Sequence, residues 1–406
     1  MADARRLRNL QMAFREAAYA RYVAGNSVSL VGNWMQRTAT GWLAWDLTGS
    51  SAWLGIVAFA DLFPALLIGP VGGVLADRHD RRLLMLAFQS AMFAVAILLW
   101  LAAGAGMLGI HLLLVLTTLH GVLVGLNQPA RLSLIPQLVR GDLIGPAIAI
   151  NSMVFNGARF IGPAIAGLII ASFGTSWAFF VNALTYIPFL LALSTIRPIP
   201  DERHATRAPF LTQIAEGIRY VFDNQGIRGL FVLIVAGALL IRPLGELLPA
   251  LADGVHGMGA AGLAMLSASL GLGAILGGLA VATMESEPGI PALLRWLTGA
   301  ALAAIAVALA PNFALSLLFT ALAGICLVGS GVNAQTMMQL AVPGELRGRV
   351  MSLFGITFRA APAIGALALG ALADAIGIRF ALLCGAVAFM ILPILRHGGL
   401  RRLIGR

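Results

Sequence analysis

Lysine is absent from this chain, whose 27 basic residues are all arginine. Because lysine serves equally well at most exposed sites, the bias is read as genomic base composition. Charge of either sign is scarce: Asp, Glu and Arg make up 11% of the 406 residues, against 59% hydrophobic ones. A soluble domain carries about a quarter charged residues, so the shortage excludes an ordinary soluble fold and points to a bilayer. The only cysteines, Cys326 and Cys384, both fall in apolar runs, which excludes a disulfide framework and metal-ligand spacing. No Walker loop, no nucleophile beside a base and no metal cluster appears. Nothing here marks an enzyme, no cofactor is expected, and an ATP-driven pump is excluded unless a partner chain supplies the motor.

What is present is apolar length. A hydrocarbon core of ~30 Å needs ~20 apolar residues per helix. Breaks at Gly, Pro and charge clusters divide the chain into twelve such runs. The first six lie at about 20–45, 51–76, 83–105, 109–135, 144–173 and 175–195, and the second six at about 229–252, 260–284, 291–310, 313–342, 350–373 and 379–396. The fold class expected is an all-α membrane protein of twelve transmembrane helices in two six-helix halves. The halves are residues 1–195 and 229–406, and the polar segment 196–228 links them. In that linker Phe210, Ile214, Ile218, Val221 and Phe222 recur at helical spacing, which predicts an amphipathic helix on the membrane face. The N-terminus is basic, but its first apolar run is long and shows no small-residue cleavage pattern. It reads as a retained first helix and not a signal peptide.

The arginines set the orientation. With an even number of spans both termini share a side. That side collects nearly all the arginines, while Arg379 alone falls on the other and Arg37, Arg159, Arg242 and Arg359 lie within spans. The positive-inside rule therefore places both termini in the cytoplasm. The basic excess is a topological signal and a contact for anionic lipid, not a nucleic-acid footprint.

Segments also recur about 200 residues apart. "NGARFIGPAIAGLIIASFG" (156–174) is similar to "TFRAAPAIGALALGALADAIG" (357–377), which aligns Arg159 with Arg359, and Arg37 falls opposite Arg242. Parallel six-plus-six repeats organise one large transporter fold, with its binding site near the midplane. Between spans 2 and 3 stands "GGVLADRHDRR" (72–82). Its Gly73, Asp77, Arg78, Arg81 and Arg82 resemble the signature loop of the major facilitator superfamily, with Asp80 where Gly is usual. The matching loop of the second half, "GGLAVATMESEP" (277–288), is degenerate. The stretches "LVGNWMQRTATGWLAWDLTGSSAWLG" (30–55) and "NGARFIGPAIAG" resemble the bacterial enterobactin-exporter-like and secretion-effector permease branch. In the second, Gly162, Pro163 and Gly167 also resemble the antiporter Gly-Pro motif, with imperfect spacing. The span-4 arginine motif of drug antiporters is missing, since "LTTLHGVLVG" (116–125) offers only His120.

Ionisable residues at bilayer depth are rare and usually functional. Asp61 stands ten residues into span 2, roughly 15 Å deep at ~1.5 Å per residue, and Arg359 stands at a similar depth in span 11. The resemblance implies that spans 2 and 11 are neighbours, so Asp61 is expected to face Arg359 or a substrate cation and to serve as a proton switch. Arg242 and Glu246, four apart on span 7, are expected on one helix face, as a gate pair or a substrate contact. Four arginines against two acids leave an excess of positive charge in the membrane, which favours an anionic or strongly hydrogen-bond-accepting substrate. Asn33, Gln36, Asn127, Asn333, Gln335 and Gln339, with His120, are cavity candidates, although hydrogen bonding between helices explains such residues more often.

The sequence thus predicts a monomeric, multi-pass transporter of a bacterial inner membrane. It would export a small amphipathic or anionic compound, such as a drug or siderophore, by proton antiport and alternating access. The proton gradient is its energy source and a small-molecule substrate its partner. A lysophospholipid or lipid-precursor flippase of the same fold and a transport-inactive membrane sensor or assembly partner are the competing readings. Gly73 is expected to let span 2 pack closely on its neighbour, and the loop at 72–82 to act as a latch, Asp77 meeting the start of span 11 when the cytoplasmic side is closed.

Overall fold

The computed structural model describes residues 11–199, 210–283 and 289–395. Among these, twelve long helices run in chain order. They are α1 (Ala17–Thr48), α2 (Ser51–Arg78), α3 (Arg81–Gly104), α4 (Ile110–Leu134), α5 (Ile144–Phe173) and α6 (Thr175–Thr195); then, after the shorter α7 (Phe210–Asp223), α8 (Gln225–Leu240), α9 (Gly259–Thr283), α10 (Ile290–Leu309), α11 (Phe313–Ala341), α12 (Gly344–Ile376) and α13 (Ile378–Leu395). Ten helical segments are long and apolar enough to cross a membrane, and Ile378–Ile391 is a shorter apolar one. The first helix, α1, is the polar exception: Asn26, Ser29, Asn33, Gln36, Arg37 and Thr40 all lie along it.

Contacts divide the chain into two compact units. One joins Met1–Thr40 to Pro64–Arg207, and the other joins Gly41–Phe63 to Ala208–Arg406. In the first, an aromatic run of Tyr19, Tyr22 and Phe189 fills the core beside Met85, Leu134 and Leu193. In the second, Phe231, Leu293, Leu297, Met338, Phe354 and Phe389 do so.

Hydrocarbon around a helix gives no hydrophobic force toward its neighbour, so helices associate where small residues let backbones approach. The glycines show the same pairs in both units. A Cβ at Gly125 of α4 would stand 2.7 Å from Ala65 Cα of α2, and one at Gly277 of α9 would stand 2.8 Å from Ile325 Cα of α11. Gly162 of α5 faces Val31 and Trp34 of α1, while Gly365 of α12 faces Leu239 of α8. Gly25 of α1 lies on Phe189 of α6, and Gly385 of α13 lies on the Leu240 carbonyl of α8. Each first-unit pair recurs seven helices later, which is the parallel repeat in three dimensions.

Two expectations need correction. Span 7 is not one helix through 252. It stops at Leu240, tightens into a 3₁₀ turn over Arg242–Gly245 and resumes as a π-helical turn over Ala250–Val255. Pro243 lacks the N–H that would continue the ladder, so Arg242 and Glu246 do not share an α-helical face. The close-packing glycine of α2 is Gly72, where a Cβ would lie 2.7 Å from the Leu126 carbonyl; at Gly73 it would meet nothing within 4 Å.

The amphipathic segment does form α7. Its Val221 is buried, whereas Ile218 and Phe222 are exposed, and the side chains of Phe210 and Ile214 lie outside the described residues. Glu216 pairs with Arg349 of α12 at 2.9 Å.

Candidate functional site

The polar face of α1 is packed mostly against α4 and α6. Asn33 Oδ1 accepts from the Tyr186 hydroxyl at 2.6 Å and lies 3.3 Å from His120 Nε2, while its Nδ2 donates to the Ser29 carbonyl. One turn on, Asn182 Nδ2 donates to Gln36 Oε1 at 2.5 Å. Gln36, His120 and Asn182 are buried. A buried amide without partners would cost about 1–3 kcal/mol, so these bonds make the seam specific. Three of the cavity candidates thus sit inside the helix packing of the first unit.

Beside this seam α1 and α5 carry a second arrangement. Close approach at Gly162 sets the Trp34 side chain against α5, where its ring meets Phe155 edge-on at a centroid distance of 6.0 Å. The Arg37 guanidinium lies 5.2 Å and that of Arg159 5.7 Å from the Trp34 ring centroid. Arg131 of α4 lies 5.9 Å from the Phe155 centroid. Arg131 is 7% exposed, and its Nε finds no acceptor among the described residues. One turn earlier on the same helix, Asn127 Oδ1 is equally buried and without a donor. Sequence reasoning placed Arg131 at the aqueous end of span 4. Its signal was Asn127, four residues earlier and thus on the same face.

In the second unit, Arg242 rests with its guanidinium 3.8 Å from the Phe358 ring centroid, at the break that follows α8. Arg242 and Phe358 line a small cavity with Ser330 and Gly331. Half-buried Asp61 and Glu246 belong to this unit. The side chain of Arg359, the expected partner of Asp61, lies outside the described residues. Asn333 is buried, its Oδ1 without a donor among the described residues, whereas Gln335 and Gln339 are exposed.

Two carboxylates that sequence reasoning passed over hold Gly41–Phe63 within this unit. Asp374, in the last turn of α12, accepts from Ser50 Oγ at 2.5 Å and from the Ser51 backbone N–H at 2.6 Å. It thereby caps the positive N-terminus of α2. Asp253, on the π-helical turn, accepts from Trp45 Nε1 at 2.9 Å. Nearby His256, bonded to Ser316 Oγ at 2.8 Å, is held below the usual imidazole pKa by burial and then by the Arg379 charge.

The loop at 72–82 is built by capping. Asp80, with φ −59°, accepts from the Leu83 N–H and starts α3. The left-handed tolerance for which Gly is usual is therefore not required here. Arg82 donates from Nε to the Leu193 carbonyl at 2.6 Å and from Nη2 to that of Ser194 at 2.5 Å, closing the end of α6. Asp77 and Arg78 are exposed and Arg81 is half-buried.

Two repeated six-helix sets, a signature loop and intramembrane arginines define a membrane transporter of the major facilitator class. Within it the chain belongs to the transmembrane secretion effector family, whose pattern matches residues 11–400. It is 29% identical over 411 residues to the enterobactin exporter EntS of Escherichia coli K12, covering 95% of this chain and 93% of that protein. It is 27% identical over 382 residues to the multidrug efflux pump Tap of Mycolicibacterium fortuitum, covering 91% of each. A match at 30% identity to the staphyloferrin A transporter of Staphylococcus aureus covers 45% of this chain and 47% of that protein. Among solved structures, a bacterial homologue of the human lysosomal transporter Spinster superposes with a TM-score of 0.73 at 17% identity, covering 96% and 98% of the two chains. The xylose transporter XylE of E. coli superposes with a TM-score of 0.68 at 14% identity, covering 93% and 94%.

Proposed function

We propose that the protein exports a small anionic or amphipathic compound across a bacterial inner membrane by alternating access, driven by proton antiport. One observation carries the substrate charge. Residues 22–40 of α1, with α4, α5 and α6, hold Arg37, Arg131 and Arg159 and not one aspartate or glutamate. An arginine in a span costs about 3 kcal/mol on the lenient scale, and an anion bound there recovers part of that cost. Export is supported by the names of the relatives, two of which are exporters or efflux pumps along nearly their whole length.

Proton coupling rests on Asp61, a half-buried carboxyl ten residues into α2. In proteoliposomes loaded with 2-naphthoate, Asp61→Asn is expected to remove the response of transport to an imposed pH gradient while thermal stability holds. A variant that still follows the gradient would refute the coupling role. The exposed Asp77 is proposed as a latch for one state of the cycle. Asp77→Ala is then expected to change the distance distribution between spin labels on the cytoplasmic ends of α2 and α12, and an unchanged distribution sinks the latch.

A further inference from the structure

The charge of the substrate is one question and its shape another, and the first unit carries observations that bear on shape. Three of its arginines, Arg37, Arg131 and Arg159, lie against aromatic rings. From the end of α1 nearest the N-terminus toward its middle, the order is Arg131, Phe155, Trp34, then Arg159 and Arg37. Arg131 stands 5.9 Å from the Phe155 centroid and the Phe155 and Trp34 centroids 6.0 Å apart, while Arg159 and Arg37 both face the Trp34 ring, at 5.7 and 5.2 Å. Trp34, Arg37, Phe155 and Arg159 are each only partly buried. At the Arg131 end, two buried polar atoms on one face of α4, Arg131 Nε and Asn127 Oδ1, lack partners among the described residues, although the Tyr22 hydroxyl stands beside the Arg131 guanidinium.

A buried donor and a buried acceptor left open one turn apart ask for a group that both accepts and donates hydrogen bonds. The adjoining rings ask for a flat π surface, which stacks offset or edge-on and is flanked by guanidinium groups that stack on aromatic faces. We propose that this ladder is the recognition site for an aromatic anion: an aryl ring bearing a carboxylate that accepts from Arg131, with Asn127 Oδ1 free to accept from a hydroxyl beside that carboxylate, and the ring among Phe155 and Trp34. The assignment rests on the anionic reading of the substrate and adds the aromatic requirement and the residues that impose it. Arg159 and Arg37 steer the charge along the ladder, and Gly162 is the structural condition for it, because any side chain there would push Trp34 off α5.

The test uses the full chain in nanodiscs with three probes: 2-naphthoate, cyclohexanecarboxylate and 2-naphthylmethylamine. Equilibrium binding is followed by calorimetry and by 19F NMR of 5-fluorotryptophan protein, with the Trp34 signal assigned through its loss in Trp34→Phe. Naphthoate is expected to bind at least tenfold tighter than cyclohexanecarboxylate and to shift the Trp34 resonance. Arg131→Gln is expected to weaken both acids about tenfold, and Phe155→Leu to weaken naphthoate about tenfold while leaving the saturated acid nearly unchanged. Should Arg131→Gln fail to fold, Phe155→Leu and the Trp34 resonance decide alone. Equal binding of the two acids, or naphthoate binding with an unmoved Trp34 signal and unaffected variants, overturns the ladder and leaves the anionic reading standing. Tightest binding of the amine overturns both.

Discussion

Asn33 shows how a polar side chain is made tolerable inside a span. Its carbonyl faces both the Tyr186 hydroxyl and His120 Nε2, and its amide turns back on the Ser29 carbonyl. The consequences of breaking this seam are unequal. Tyr186→Phe removes one donor from an oxygen that still faces His120, and it should lower stability by about 1 kcal/mol. Asn33→Leu takes one shared acceptor from a buried hydroxyl and a buried imidazole at once and should cost more, about 2 kcal/mol. Thermal unfolding of the two variants in the same detergent checks the order. If Asn33→Leu proves as stable as the parent, the seam is a passive packing feature and its polarity has another purpose.

The helices were legible in place, though not always in bounds: α6 occupies the expected 175–195 and α2 starts at the expected Ser51, while α12 starts at Gly344 and not at 350. Length and apolarity suffice there because a bilayer accepts only backbone that bonds within itself. The same signal is blind to the break after Leu240, since residues 229–252 are apolar throughout apart from the two charges. Only Pro243 and Pro249 hinted at the interruption. Nor could sequence separate Gly72 from Gly73, because adjacent residues point about 100° apart around a helix and the pattern does not say which direction holds the neighbour. Asp253 and Asp374 read as ordinary boundary charges, although each reaches a residue more than 200 positions away. Asp374 gives this scale its prediction. Asp374→Ala removes both acceptors at the start of α2, at a cost near the ~1 kcal/mol of a helix cap. Amide exchange over residues 50–54 should accelerate several-fold while α9 to α11 stay protected. Unchanged exchange would show that Trp45 and Asp253 hold the segment without it.

At the scale of the whole molecule, the arginine distribution makes a claim about sides that the fold lets one test. In the first unit, Arg140 donates to Glu16 at 2.9 Å, so the α4–α5 connection and the residues before α1 share an end. Met107, in the α3–α4 connection and 74% exposed, lies at the opposite end because α4 runs between the two. Arginines near an anionic leaflet contribute about 1 kcal/mol each, so the arginine-rich end is expected to face the cytoplasm. With only Cys326 and Cys384 to replace, a cysteine-free parent is within reach. From it, Met107→Cys should react with a membrane-impermeant maleimide in spheroplasts, and Asp142→Cys only in inverted vesicles. The reverse pattern would turn the molecule over. The aromatic anion site would then load from the outside, its buried Arg131 lying toward the periplasm, and the exporter reading would give way to uptake.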